Sequence, residues 1–498
     1  MAINYLSSFV FKRFDLTHDK RYTLSKASLN ILKDVDSPIV IDVFLKGDDF
    51  PSEFRRLQRE AAQLLEEFSA NNPNVLFHFI DPLEDETNRD RHIQQMSERG
   101  LTPMQLSVQE NGKTSQEVIF PWALASYKGK TVTVSLIKNK IGASQQELVS
   151  NSVQHLEYAF ADAFNKLTKP KRRKIAILRG NGELDDIHIY DFIKKLGEYY
   201  FIAPFTLDSV ANNAPRTLQY LSAFDLIICA KPTQAFTENE KLVLDQYTMK
   251  GGKSLWLIDA VVAEKDSLYN ESGKAYAVPR DLNLTDFFFK YGVRVNPLLV
   301  SSLYSAPIAL AIGEGSNSQF QPLRWPYSPL TKLEGTPREL SLDIVTEKQN
   351  PALFNKGNQS LAVLLEGKFS SVYKNRVKPF KLSDEKDESV ATKMIVIPDG
   401  DLIKNDVVRN VPQELGFDRW TGKTYGNKEF LLNAVNYLLD DDGLINIRSK
   451  DILVAFLDQE KITSQKTKWQ LLNILLPLVL LFVFGLIFNY LRKKKFTG

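Results

Sequence analysis

The chain has 498 residues, of which 43% are hydrophobic and 25% are charged, and this composition excludes a disordered or fibrous protein. The 63 Lys and Arg residues almost balance the 60 Asp and Glu residues, so the net charge of +3 implies no general attraction to nucleic acid. The single cysteine, Cys229, excludes an internal disulfide and a zinc site of the CxxC type.

At the N-terminus, residues 3–11 are apolar but too few to span a membrane. They lack the basic start and the small-residue cleavage site of a signal peptide. We expect residues 1–17 to be the membrane-proximal end of a truncated first transmembrane helix, because a C-terminal anchor alone does not easily carry a large body across a membrane. The alternative is a frayed terminus that packs on the surface.

Residues 18–168 alternate between strand-like and helix-like patterns. These patterns predict, in chain order, strands over 38–45 and 74–80, helices over 51–68 and 86–99, strand-like runs from 102, over 117–120 and over 131–137, and a helix over 144–167. Asn111 and Gly112 suit a hairpin turn. This order predicts a thioredoxin-like domain in which Pro103 precedes the third strand. Because residues 46–50 contain no cysteine where a redox thioredoxin carries CxxC, we expect a scaffold or binding module.

A run of basic residues, 169–174, forms the clearest linker. We expect it to be a solvated hinge, because no aromatic residues interleave with the charges, as they do where bases stack.

Residues 175–460 form the predicted second domain. Apolar runs and amphipathic patterns predict strands over 174–178, 224–230, 254–259 and 393–397 and helices over 190–199, 238–249, 284–291 and 428–439. Strands that alternate with helices predict an open parallel sheet with helices on both faces. The region around 299–381 is rich in Ser, Pro, Asn and Lys, and we expect a β-containing insertion there.

One loop of this domain is a weak candidate for ligand binding. It consists of Gly180, Asn181, Gly182 and Glu183, which follow a strand and precede a helix. Ligands of open α/β sheets bind at the carboxyl ends of the strands, so a small anionic or polar ligand would fit there. The alternative is a tight strand-to-helix turn that binds nothing.

A second glycine motif, Gly252-Lys253-Ser254, resembles the end of a phosphate-binding loop. The first glycine of such a loop would stand at position 247, which is Tyr247, and a strand follows where the motif needs a helix. We therefore expect a turn that ends a helix and no binding of ATP by this route.

The remaining candidates for chemistry favour structural roles. Cys229 lies inside an apolar run and is expected in the core. The histidines, which do not pair at ligand spacing, are His18, His78, His92, His155 and His188. Residues 440–443 lack the alternation and the distal Glu of a calcium loop, and there is no Gly-x-Ser-x-Gly elbow. The sequence predicts no catalytic residue, no metal and no cofactor.

The run over 469–491, WQLLNILLPLVLLFVFGLIFNYL, contains no charged residue and is long enough to span a membrane. Aromatic residues stand at its ends, Pro and Gly are tolerated within such helices, and a basic cluster follows. The predicted anchor residues are Trp469, Pro477, Gly485, Tyr490, Arg492, Lys493, Lys494 and Lys495. Basic residues stay on the cytoplasmic side, so residues 492–498 are predicted to be cytoplasmic and the bulk of the chain extracytoplasmic. The alternative is a buried core helix.

A family resemblance lies in residues 13–68, RFDLTHDKRYTLSKASLNILKDVDSPIVIDVFLKGDDFPSEFRRLQREAAQLLEEF, and especially in residues 19–25, DKRYTLS. This stretch resembles the gliding-motility-associated ABC transporter auxiliary subunits of the GldG type, which are labelled substrate-binding, and the resemblance extends over nearly the whole chain. It implies an inner-membrane protein of Bacteroidetes with a periplasmic body. It also implies a permease of the GldF type and a cytoplasmic ATPase of the GldA type as partners, in gliding motility or associated envelope export.

These observations predict a non-catalytic, membrane-anchored auxiliary subunit that couples a permease and an ATPase to an extracytoplasmic partner or substrate. Two alternatives stay open. One is an envelope hydrolase that acts on glycan or peptide through carboxylates, and the other is a dimeric periplasmic scaffold.

Overall fold

The computed structural model describes residues 23–47, 50–110, 113–138, 144–268, 270, 274–302, 305–312, 319–329, 339–341, 360–439 and 466–496. The chain divides into a large unit, residues 22–450, and a smaller unit that contains the C-terminal helix. The predicted segment at residues 1–17, the turn at Asn111 and Gly112, His18 and residues 440–443 lie outside the described residues.

The N-terminal part of the large unit, residues 23–168, combines helices with a mixed sheet. Its helices are α1 (Lys26–Lys33), α2 (Ser52–Asn71), α3 (Arg89–Glu98) and α4 (Gln145–Thr168). Its strands are β1 (Ile39–Val43), β2 (Val75–Phe79), β3 (Met104–Glu110), β4 (Lys113–Ile119), β5 (Trp122–Tyr127) and β6 (Lys130–Ser135). Four of them form a sheet in the order β2-β1-β5-β6, in which β1 is parallel to β2 and antiparallel to β5.

The third strand of this sheet differs from the predicted one. The strand expected after Pro103 is β3, which pairs with β4 in a separate hairpin. The strand that pairs with β1 is β5, directly after Pro121. The core face of β5 consists of Ala123, Ala125 and Tyr127, and small alanine side chains give a weak strand pattern in the sequence.

Helices α1, α2 and α4 share one hydrophobic core with this sheet. Phe68 of α2 and Phe164 of α4 meet edge to face with ring centroids 5.1 Å apart. The start of α4 is fixed by a capping box, in which the Ser144 hydroxyl accepts from the Glu147 N–H and the Glu147 carboxylate accepts from the Ser144 N–H.

The C-terminal part, residues 174–439, is larger and has helices on both faces of its main sheet. Its helices are α5 (Tyr190–Leu196), α6 (Val210–Leu221), α7 (Glu238–Met249), α8 (Thr285–Tyr291) and α9 (Asn427–Leu439). Its strands are β7 (Lys174–Arg179), β8 (Phe201–Thr206), β9 (Leu226–Ala230), β10 (Lys253–Leu257), β11 (Val261–Val262), β12 (Lys274–Tyr276), β13 (Val278–Pro279), β14 (Ser305–Ile312), β15 (Gln319–Pro329), β16 (Glu339–Ser341), β17 (Val363–Gly367), β18 (Thr392–Ile397), β19 (Val407–Val408), β20 (Val411–Pro412), β21 (Phe417–Asp418) and β22 (Lys423–Thr424).

The main sheet has the strand order β17-β18-β10-β9-β7-β8. All neighbouring pairs from β18 to β8 are parallel, and β17 adds an antiparallel edge. Helices α6, α7 and α8 pack on one face and α5 and α9 on the other. Within the range predicted as an insertion, β14 and β15 form a long hairpin, whereas β17 pairs with β18 in the main sheet.

Charged and polar side chains join the two parts. Lys166 Nζ of α4 lies 3.1 Å from Asp162 Oδ2 and 3.0 Å from Glu198 Oε2, and Tyr199 donates its hydroxyl to Asp162 Oδ2 at 3.0 Å. Lys138 Nζ also lies 3.0 Å from Glu429 Oε1. This polar contact lies beside the linker predicted over 169–174.

The smaller unit is described by one helix, α10 (Lys466–Phe496), which contains the predicted run over 469–491. Its segment Gln470–Asn489 has a mean hydropathy of 2.8 and is not buried by protein. A helix of this length and composition can cross a membrane. Pro477 lies inside the helix.

Candidate functional site

The order of the main sheet reverses at one place. The chain runs from β7 outward to β8, and then returns to place β9 on the other side of β7. In open α/β sheets such a reversal opens a crevice at the carboxyl ends of the two central strands, and ligands bind there. The loops that follow β7 and β9 therefore define the candidate site.

The loop after β7 is the one that the sequence singled out. Gly180 and Gly182 have φ angles of +116° and +70°, which glycine adopts without strain. The backbone N–H groups of Thr233 and Gln234 both donate to the Asn181 carbonyl at 2.9 Å, and the Thr233 hydroxyl donates to the Gly182 carbonyl at 2.9 Å. These bonds tie the loop to the segment after β9.

The side chains of this loop are acidic and partly buried. The Asn181 N–H donates to Glu183 Oε2 at 2.8 Å, and the Asn181 amide donates to Glu240 Oε2 at 3.3 Å. Burial raises the pKa of Glu183, and the negative charge of Glu240 adds to this effect. Because the Glu183 carboxylate accepts the N–H that an anion would need, the loop as it stands does not suit a phosphate or another anion.

Cys229 lies beside this loop, with its Sγ 4.0 Å from Glu183 Oε1. The residue is fully buried, and burial together with the charge of Glu183 raises the pKa of the thiol well above its usual value. A nucleophilic cysteine needs the opposite environment. The structure thus places Cys229 in the core, as the sequence predicted.

The loop after β9 contributes a lysine that the sequence did not single out. Lys231 Nζ lies 2.6 Å from Asp401 Oδ1, 3.0 Å from Glu264 Oε2 and 3.4 Å from Asp259 Oδ2, and its side chain is only 4% exposed. Burial disfavours the ammonium, but Asp401 and Asp259 outweigh burial and raise the pKa of Lys231.

The backbone at Lys231 is strained, and the neighbouring Gly400 packs directly against the lysine side chain. Lys231 has a φ angle of +55°, which is unfavourable for a residue with a side chain. The Gly400 N–H donates to Asp259 Oδ1 at 2.6 Å, and a Cβ at position 400 would lie 2.5 Å from Lys231 Cγ. The ends of β9, β10 and β18 are therefore held together by one ammonium group and its carboxylates.

Asp399 completes this cluster, which we define as Lys231, Asp259, Glu264, Asp399 and Asp401. Although the residue as a whole is exposed, desolvation of its carboxyl and the negative charges of Asp259 and Asp401 raise the pKa of Asp399 from 3.8 to about 6. As the pH rises from 3.8 to about 6, the unfolded chain loses this proton first, so the folded state becomes less stable across that window.

We expect Asp399→Asn to remove this pH dependence. At a pH of about 4 the variant and the parent should unfold at the same temperature, and above a pH of about 6 the variant should be more stable by roughly 1 kcal/mol, because water screens an exposed charge. Thermal unfolding of the purified chain at both pH values measures the difference. If the unfolding temperatures of the variant and the parent differ by the same amount at both pH values, Asp399 does not titrate in this window.

Among the described residues, no group of three or more His, Cys, Asp or Glu side chains is arranged to hold a metal ion. At the end of the main sheet the Lys231 ammonium group lies between the carboxylates of Asp259, Glu264 and Asp401. These ion pairs connect the loops that follow β9, β10 and β18.

Only part of the site was visible in the sequence. The loop over Gly180–Glu183 is one continuous segment, so a sequence pattern could propose it, and its role in binding stays a prediction. Lys231, Asp259 and Asp401 come from three separate segments. Each of them follows an apolar strand run, at Ala230, Ile258 and Ile397. The available signal was a charged residue within four positions of the end of each apolar run, since parallel strands bring their carboxyl ends to one edge.

Family comparison matches both parts of the large unit. The profile described as "ABC-type uncharacterized transport system", an auxiliary-component family, matches residues 172–335 and 328–434, which together exceed half of the 498 residues. A profile described as "Domain of unknown function (DUF7088)" matches residues 18–126. No curated protein matches the chain. Among solved structures, the mmIFT52 N-terminal domain aligns with 15% identity over 56% of this chain and 100% of that chain, with a TM-score of 0.28.

The described residues thus form a mixed α/β body and one apolar helix long enough to span a membrane. The chain belongs to the auxiliary family of ABC-type transport systems.

Proposed function

We propose that this chain is a non-catalytic auxiliary subunit of an ABC transporter, anchored in the bacterial inner membrane by α10, with its large unit in the periplasm. The observation behind the proposal is the family match over residues 172–434 in a chain that also contains a helix able to span a membrane. The proposed partners are a permease of the GldF type and an ATPase of the GldA type, and the proposed process is gliding motility or associated envelope export.

The proposed mechanical role is to couple the permease to an extracytoplasmic partner or substrate. The strand order β2-β1-β5-β6, with a helix after β1 and another after β6, supports a thioredoxin-like N-terminal scaffold. Because residues 46–50 carry no cysteine, this scaffold would bind or position a partner rather than exchange disulfides. The crevice between the ends of β7 and β9 is the proposed contact point for a polar ligand.

Co-purification tests the assignment. The tagged full-length chain, extracted in mild detergent, is expected to retain a multi-span permease and an ATPase that mass spectrometry identifies. The matched control is the same chain with α10 replaced by an unrelated single-span helix. This control shows whether binding of the partners needs α10 itself or only a position in the same membrane. The absence of both partners from the native chain, or their equal recovery with an unrelated bait, would contradict the proposal.

Orientation is tested separately. The basic residues Arg492 to Lys495 favour a cytoplasmic C-terminus. Protease added to the outside of intact spheroplasts should therefore degrade the large unit and leave a tag at the C-terminus protected. Protection of the large unit in spheroplasts, with digestion only after lysis, would reverse the proposed orientation.

Anchoring by α10 makes a quantitative prediction. The segment Lys466–Phe496, placed in a host membrane protein, should insert almost completely. The double substitution Leu480→Arg and Phe484→Arg should abolish insertion, because an arginine near the centre of a helix costs about 3 kcal/mol. The matched control is Leu480→Phe with Phe484→Leu, which conserves the apolar character. Insertion of the arginine variant to the parental extent would show that the helix is not held by lipid.

A further inference from the structure

Strand β2 is an edge of the four-stranded sheet, and within the described part of the chain it pairs with β1 alone. The Ile80 N–H donates to the Val43 carbonyl at 2.9 Å, and the Ile39 N–H donates to the Asn74 carbonyl at 2.8 Å. Alternate residues of a strand direct both backbone groups to the same side. The N–H and C=O groups of Phe77 and Phe79 therefore point away from β1, as does the Val75 carbonyl.

Soluble sheets usually block such edges with Pro, Lys, a bulge or a covering element. The edge strand β8 has Pro204 in its middle, β6 begins with Lys130 and packs along α4, and β17 carries Glu366, which is paired with Lys393. Strand β2, VLFHF, pairs in unbroken register and has neither Pro nor Lys. On its outer face Leu76 is 43% exposed, and Ile80, the residue after the strand, is 38% exposed.

We infer that β2 pairs antiparallel with β2 of a second copy of this chain, about a twofold axis at Phe77. In this register Phe77 faces Phe77 of the second copy and exchanges two backbone hydrogen bonds with it. Each Phe79 N–H then donates to the Val75 carbonyl of the other copy. The backbone groups left open by β1 are thus satisfied by one symmetric pairing, which is the usual geometry of a homodimer.

The side chains are compatible with this register. Leu76 of each copy lies opposite His78 of the other, so the only titratable side chains of the two strands do not face each other. His78 keeps its own neighbour Asp42, whose Oδ1 lies 3.9 Å from His78 Nδ1. Burial of Leu76 removes exposed apolar surface. If α10 anchors the chain, copies share one membrane plane, which raises their effective concentration.

Cysteine cross-linking in membranes tests the register. Leu76 and His78 of the second copy would form a non-hydrogen-bonded pair, with Cβ atoms about 4.5–5.5 Å apart, close to the distance that a disulfide bridges. Full-length Leu76→Cys and His78→Cys chains with different tags are co-produced and oxidised, and the native Cys229 is buried. We expect linked heterodimers at least about fivefold above the matched pair Val75→Cys with His78→Cys, whose side chains lie on opposite faces.

Breaking the edge provides a second readout. Phe77→Pro removes an N–H that does not bond to β1, and Leu76→Lys adds an ammonium without changing the backbone. The native chain purified in detergent should have the molecular mass of a dimer, and each of these variants should have the mass of a monomer. Leu364→Lys, on the edge strand β17, should remain a dimer.

A monomeric native chain, or equal cross-linking of the two cysteine pairs, would overturn the inference. So would a Leu76→Lys chain that remains dimeric. If the native chain is monomeric and Phe77→Pro loses a different co-purified protein, the edge binds a strand of that protein, and self-pairing is likewise excluded.

Discussion

Lys231→Met is expected to destabilise the large unit by about 3 kcal/mol, because it leaves the carboxylates around position 231 without their common cation. The lysine side chain is 4% exposed and the Asp259 side chain 16%, so water cannot easily replace the lost ammonium at Asp259. Asp401 and Glu264 are more exposed, so water can solvate them in the variant. The expected loss of stability is therefore at the lower end of the range for breaking a buried ion pair. Chemical unfolding of the detergent-purified chain measures the change.

Two companion variants make this result specific. Lys374→Met removes a partly exposed lysine whose Nζ lies 2.9 Å from Glu388, and it should change stability much less than Lys231→Met does, because water solvates both charges. Adding Asp259→Asn to Lys231→Met should recover part of the loss, because the uncompensated buried charge is then removed as well. No recovery in the double variant, or a parental stability for Lys231→Met alone, would show that the cluster does not stabilise the loops.

Trp256→Ala is expected to destabilise the large unit by about 3–5 kcal/mol, which is the usual cost of removing a fully buried aromatic side chain. Trp256 on β10 is 1% exposed. Its ring meets Phe236, Phe287 and Phe288 edge to face at centroid distances of 6.1, 5.7 and 5.3 Å. The cavity would open between β10 and α8, and the same unfolding measurement detects it.

The control for this variant is a tryptophan of similar chemistry at the surface. Trp420 is 44% exposed and stacks on Phe320 at a centroid distance of 4.8 Å, so Trp420→Ala should cost about 1 kcal/mol or less. Equal effects of the two substitutions would mean that the cluster around Trp256 is not the centre of this core.

Elements with strong periodicity or clear caps could be predicted from the sequence. The helix predicted over 144–167 is present as α4, whose Ser144 cap and apolar stripe are both local features. The strand predicted over 393–397 is present within β18, and the apolar run over 469–491 lies within α10. In each case the information lies within one continuous segment.

The segment over 201–221 was not predicted as a strand and a helix. Strand β8 contains Pro204, which an edge strand tolerates but which normally argues against a strand. Helix α6 contains Pro215 and a non-helical residue, Asn213, with a φ angle of −157°. These local signals argue against a strand and a helix in this segment. Both elements form because their apolar residues pack against the hydrophobic core.

The ion cluster at Lys231 could not be assembled from the sequence for a different reason. Lys231 and Asp401 are separated by 170 positions in the chain, and only the pairing of β9 with β10 and of β10 with β18 brings them together. A sequence pattern identifies strand ends, but the order of the strands within the sheet determines which ends become neighbours.

The side-chain contacts described between the two parts of the large unit are ion pairs and hydrogen bonds, and the hydrophobic cores of the two parts are separate. Because neither core extends into the other, a change of angle between the parts would break these polar contacts without opening either core. Motion imposed at one end of the molecule could thus be taken up at this joint while each hydrophobic core stays intact.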